Sequence, residues 1–241
     1  MSTVKRFVVL GLLFAVAVST LVGQNSSREM SVEESYLQDA VELMIIREQS
    51  RAESRDMKMI ALEYIGDAIE RGNNGEEVRA ALEYLALEGV MNKARENGRL
   101  VNNYPDVRTK AATYLGELGT PEAKNTLAKI VSADPEPMVL TEAVKSLAKI
   151  GMEESEEVVS IITRVVSKFD TLNPDNLLAL SALEAYDKLA QRNGGKLDAS
   201  VIQLIIRISD GAYAKPVQEK AKLVLANIRK YAQDSQKNGT R

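Results

Sequence analysis

The densest set of groups able to move a proton or hold a hard cation is Glu153, Glu154, Glu156 and Glu157. A calcium loop, however, sets its oxygens at alternating positions about a glycine turn, and a glycosidase holds its two acids across a cleft. Neither pattern is present, and clustered negative charge there suits the start of a helix, where unpaired backbone N–H groups favour it. Asn193-Gly194-Gly195-Lys196-Leu197 has the glycines and lysine of a phosphate loop. It lacks the glycine four residues further back, carries Leu where Ser or Thr is required, and follows a helical pattern rather than a strand. Gly194 instead reads as a helix C-terminal residue in left-handed geometry. His and Cys are absent from all 241 residues, which removes imidazole and thiolate ligands, disulfides, and every nucleophile–base pair built on either. No catalytic set, metal site or cofactor is expected, and the chain reads as non-enzymatic.

What remains is surface and packing. Asp134-Pro135-Glu136-Pro137 reads as a rigid turn between helices rather than a site. Asn25-Ser26-Ser27 and Asn238-Gly239-Thr240 match the glycosylation acceptor pattern but lie in terminal segments. The chain begins with Lys5 and Arg6, an apolar run from Phe7 to Val18, and then Ser19 to Gln24. That is the layout of a secretory signal, with cleavage expected after Gly23, or after Ser19 as the alternative. Phe7 to Val22 is too short to span a bilayer as a helix, which takes about 20 residues. The expected organisation is a signal peptide over 1–23, a folded domain over 24–233 and a polar, frayed tail over 234–241. Removing residues 1–23 takes away two cations and no acid, so the formal charge moves from −3 to −5. That balance disfavours nucleic acid or an anionic membrane surface as partner, since both reward clustered Lys and Arg.

The elements behind that surface repeat. Val107, Ala111, Leu115 and Leu118 lie within one stripe of a 3.6-residue helix, and the same steps recur from Val139, Leu178 and Val217, with an earlier copy from Met57. Each stripe centres on an alanine: 61, 111, 143, 182 and 221. A second apolar-periodic segment precedes each one, over Tyr36 to Gln49, Glu76 to Val90, Pro121 to Val131, Glu156 to Val166 and Ser200 to Ile208. Each unit is therefore two helices. Ser31 with Glu34, Thr120 before Pro121, and Asp198 supply helix starts. Prolines 105, 135, 137, 174 and 216 fall before or at the start of a second helix, where a missing N–H is harmless. Val158 to Val166 is β-branched enough to suggest a buried strand, but Glu156 and Glu157 and the helical spacing of 158, 161, 162, 165 and 166 favour a helix. Asn92 to Asn103 is extra length, either a surface loop or a continuation of the preceding helix, and a loop there would be a natural contact element.

Asp106-Val107-Arg108, Ala111, Leu115-Gly116 and Leu118-Gly119, followed by Thr120-Pro121-Glu122-Ala123, resemble a HEAT or HEAT-like repeat. Residues 104–151 carry the resemblance best; the first unit has Asp56 and Lys58 in the equivalent places, and the last two keep only the apolar skeleton. The resemblance implies an all-α fold, a right-handed α-solenoid of about five stacked antiparallel helix pairs with a concave face lined by the second helices. Such folds usually serve as scaffolds for protein partners. The expected docking row on the outward side of the second helices is Glu63, Asp67, Thr109, Thr113, Thr141, Lys145, Glu184 and Lys188, of mixed sign, with Tyr64 and Tyr114 at the edge of the buried stripe. The expected role is an exported scaffold or adaptor at the bacterial periplasm or cell envelope, with another protein as its partner and no membrane insertion after signal cleavage. Since some HEAT-like proteins handle tetrapyrrole chromophores, a carrier or lyase is the alternative, and a structural assembly component a third.

Overall fold

A computed structural model describes residues 32–151 and 156–238. The signal segment, Ser31, both glycosylation acceptor sequons, and Glu153 and Glu154 lie outside or run beyond the described residues. The chain divides into two units, residues 1–41 and 42–241. In the first, the described residues open helix α1 (Val32–Ser50), with Tyr36, Leu37 and Val41 exposed.

Nine further helices follow among the described residues: α2 (Arg55–Glu70), α3 (Glu76–Leu87), α4 (Pro105–Leu118), α5 (Pro121–Ala133), α6 (Pro137–Ile150), α7 (Glu156–Leu172), α8 (Asn176–Arg192), α9 (Ala199–Asp210) and α10 (Lys215–Asn238). They pack as neighbouring pairs in two layers, an all-α HEAT-like solenoid. Odd-numbered helices from α3 to α9 form one layer and even-numbered ones from α2 to α10 the other, and each contacts only helices adjacent along the stack.

The starts and stops follow from side-chain chemistry. Thr120 accepts from the Ala123 N–H at 3.2 Å, Asp175 from Leu178 at 2.8 Å and Asp198 from Ser200 at 2.8 Å, each satisfying a donor the first turn leaves unpaired. Pro105, Pro121 and Pro137 occupy the first helical position of α4, α5 and α6. The segment holding Val158 to Val166 is helical, because the buried Val158, Ile162 and Val166 share one face and Glu156 and Glu157 lie in the first turn. Gly194 and Gly195 both have positive φ, and a Cβ on Gly195 would lie 2.5 Å from the Ile228 carbonyl oxygen of α10. The glycine pair ends α8 and lets α10 approach; it cradles the chain's own backbone. Helix α10 continues through residues 234–238, expected as tail, because nothing in Asp-Ser-Gln-Lys-Asn breaks a helix before Gly239.

The extra length between α3 and α4 is a loop carrying a short antiparallel hairpin, β1 (Arg95–Glu96) and β2 (Arg99–Leu100). Asn97 (φ 48°) and Gly98 (φ 80°) form its two-residue turn, and two successive positive φ values are what the twist of a tight hairpin demands. It branches from the stack without interrupting it: α3 still packs on α4.

Candidate docking face

Successive even-numbered helices touch along most of their length, whereas successive odd-numbered ones touch more sparsely. In a two-layer stack the closer-spaced layer is the inner side of the curve, so the second helices line the concave face. Each buries two sides. On α4 the inward set is Val107, Arg108, Ala111, Ala112, Leu115 and Gly116, which leaves a narrow strip facing out.

Of the eight expected face residues, Glu63, Asp67, Lys145, Glu184 and Lys188 are exposed there, and Thr109 and Thr113 are half-buried. Thr113 Oγ1 donates to Glu142 Oε1 at 2.9 Å, tying α4 to α6. Thr141 departs from the expectation: it is only 6% exposed. It lies one turn before Lys145 but about 40° around the helix, and in a helix with neighbours on both flanks that rotation is enough to bury it. Its hydroxyl oxygen has no hydrogen-bond partner among the described residues.

The helices approach closely because small residues sit opposite larger ones. Tyr114 of α4 lies over Gly66 of α2, and Ser146 of α6 over Gly116 of α4, so a Cβ on Gly116 would come within 2.7 Å of that on Ser146. Tyr114, half-buried, has its hydroxyl pushed above the ordinary tyrosine range, first by burial and then by Glu117, Asp67, Glu70 and Glu63. Lys110 lies 5.9 Å from its ring centre.

Beneath the face runs a buried ionic seam at the turns joining first and second helices. Lys58 Nζ meets Glu88 Oε1 at 2.8 Å and donates to the Ser50 carbonyl at 3.2 Å; both charged side chains are almost wholly buried. One pair further along, Arg108 Nε meets Asp134 Oδ2 at 2.6 Å, and its Nη1 donates to Asn103 Oδ1 at 2.9 Å and to the Glu88 carbonyl at 3.3 Å. The hairpin loop is held together by Asn102, whose Nδ2 donates to the Asn92 carbonyl and whose Oδ1 accepts from Ala94 N–H, and it is tied to the seam where Asn102 Nδ2 donates to Glu88 Oε1 at 3.5 Å and Arg108 donates to Asn103. Asp134 is thus a buried ion-pair partner as well as a turn residue, a role its position among prolines did not announce. The equivalent of Lys58 and Arg108 in α6 is the buried Leu140, and in α8 Ala179, so the seam ends there.

On the side of the odd-numbered helices, a cleft of about 500 Å³ opens between α7, the end of α8 and the start of α9. Val159, Leu189, Leu197 and Val201 supply its apolar wall. Of its polar groups, Asp198 caps α9 and bonds Ser200, and Thr163 Oγ1 lies 2.9 Å from the Tyr186 hydroxyl. Among the described residues no cluster of three or more metal-ligating side chains occurs, and no helix is long and apolar enough to cross a membrane.

No curated protein matches the chain. Residues 99–170 match the family described as HEAT repeats, from the second strand of the hairpin through most of α7, and HEAT repeats generally mediate contacts between proteins. The architecture over the described residues and this match agree, and the chain folds as a HEAT-like repeat protein.

Proposed function

We propose that the chain is an exported, non-enzymatic scaffold that holds a protein partner on the face formed by α2, α4, α6, α8 and α10, in the periplasm or at the cell envelope. The observation that carries this reading is the face itself. Five parallel helices present polar side chains in register over a packed floor, so their positions are fixed before any partner arrives and little ordering entropy is lost on docking. Export is supported by Lys5 and Arg6 followed by the apolar run from Phe7 to Val18. The test is a photoreactive side chain placed at Thr113, Lys145 or Glu184, with Lys129 and Arg164 of the other layer as controls. A stoichiometric adduct in the envelope fraction from the first set alone, lost on K145E/E184K, is the expected result; equal labelling of both layers, or none, contradicts it.

The cleft between α7 and α9 favours a second reading, a carrier of a small, partly apolar molecule such as a chromophore. A coloured or fluorescent compound copurifying with the chain, and lost on Val159→Trp, would replace the scaffold reading with this one.

A further inference from the structure

The expected face residues look electrically mixed as a row, but the fold sorts their signs along the stack. The exposed strip of α2 offers Asp56, Glu63, Asp67 and Glu70, with Ile60 between them. Arg55 pairs with Asp56 and with Asp106 of α4, leaving Glu63, Asp67 and Glu70 without an ion-pair partner among the described residues. On α4, Glu117 continues the acidic patch beside Thr113, and the half-buried Lys110 places one cation within it. The sign then turns. The equivalent positions of α6 hold Lys145 and Lys149, with Glu142 engaged by Thr113 and Lys145. On α8 Glu184 and Asp187 face Lys188, and on α10 Lys220, which pairs with Asp187 at 3.6 Å, Lys222, Arg229 and Lys230 outnumber the exposed Glu219 and Asp234. At the acidic end the Tyr114 hydroxyl is held above its ordinary range first by burial and then by the nearby Glu117, Asp67, Glu70 and Glu63 of α4 and α2.

We propose that this concave face is a polarised dock for an extended partner segment whose basic end seats on α2 and α4 and whose acidic end seats on α6 to α10, the order of charge fixing the direction in which the segment lies. The inference rests on the docking face proposed above and adds to it the chemistry and polarity of the partner. Helix spacing of about 10 Å puts α2 roughly 40 Å from α10. The Debye length at physiological salt is about 8 Å, so the two ends do not screen each other's partners and act as separate subsites. Both must be engaged at once for tight binding, because exposed ion pairs contribute about 1 kcal/mol or less each and the gain comes from linkage.

The experiment uses the full mature chain and three fluorescent peptides: tetralysine, tetraglutamate, and the two joined by a flexible linker long enough to span about 40 Å. Expected is a joined peptide that binds at least about tenfold tighter than either half, with affinity falling as salt rises. In E63K/D67K/E70K, tetralysine binding is lost and tetraglutamate binding kept; in K145E/K149E/K188E the pattern is the reverse. Thermal melts establish that both variants fold, and single reversals at Glu63 and Lys145 serve in the place of any that does not. A joined peptide no tighter than its halves, no binding of it, or equal effects of the two variants overturns the polarity. If photo-adducts still form from Thr113, Lys145 and Glu184 in that case, the docking face stands without its polarity; if they too are missing, the docking face itself falls.

Discussion

At the scale of single residues, Arg108 and Tyr186 carry the sharpest expectations. Arg108 and Asp134 are both almost wholly out of water, and each leaves an uncompensated buried charge if the other is removed. Arg108→Ala is expected to destabilise the chain by about 3–5 kcal/mol, read from chemical denaturation. Arg108→Leu with Asp134→Asn, which imitates the apolar Leu140 of the next helix, is expected to recover most of that loss. Tyr186 is wholly buried in α8, where burial raises its hydroxyl well above the ordinary range and Thr163 opposes the shift. Above about pH 10 the unfolded chain releases this proton while the folded one keeps it, so the unfolded state binds fewer protons and stability falls as pH rises. Tyr186→Phe is expected to flatten the melting-temperature decline between pH 9 and 11 while changing stability at pH 7 by about 1 kcal/mol or less. The sequence pointed to Arg108 as part of a motif, but its partner lies 26 positions away in a turn already explained by proline, and nothing local signals the pairing.

At the scale of the element, periodicity was enough to place the helices from α2 to α9, because each buries an apolar stripe, and α4, α5, α6, α8 and α9 also open on a proline or a capping side chain. It was enough even for the β-branched Val158 to Val166, since a helix buried on one face and flanked by acids at its start tolerates Val and Ile. Rotation about the helix axis was less legible. Thr141 was expected to face outward with Lys145, yet an inner helix has neighbours on both flanks, and the open strip is narrower than polarity alone suggests. The spacing between helices is set by residues such as Gly116, whose missing Cβ admits Ser146. Gly116→Ala gains about 1 kcal/mol in helix propensity but overpacks a contact that costs about 1–3 kcal/mol, so a net loss is expected. Gly116→Ala combined with Ser146→Gly relieves the clash, and a double-mutant cycle should show a favourable coupling above about 0.5 kcal/mol. Additive effects would mean that the two helices do not set each other's distance.

For the whole molecule, a stack in which every pair touches only its neighbours makes stability local. Lys58→Met leaves Glu88 buried and unpaired, and its damage should remain in the pairs that share the seam. Hydrogen exchange is expected to speed in α2 to α4 and stay unchanged in α8 to α10; uniform acceleration would show a single cooperative unit instead. The repeat and the layer order were visible in the sequence, whereas the sorting of charge from α2 to α10 was not, because sign order along the stack appears only once equivalent positions are laid side by side. The central claim is that the inner layer is the surface a partner covers. Its most direct test is acylation of lysines in the envelope fraction against the purified chain: Lys145, Lys149 and Lys188 should lose reactivity in the envelope while Lys129 and Lys168 of the outer layer keep theirs. Protection confined to Lys129 and Lys168, or shared equally by both layers, would contradict it.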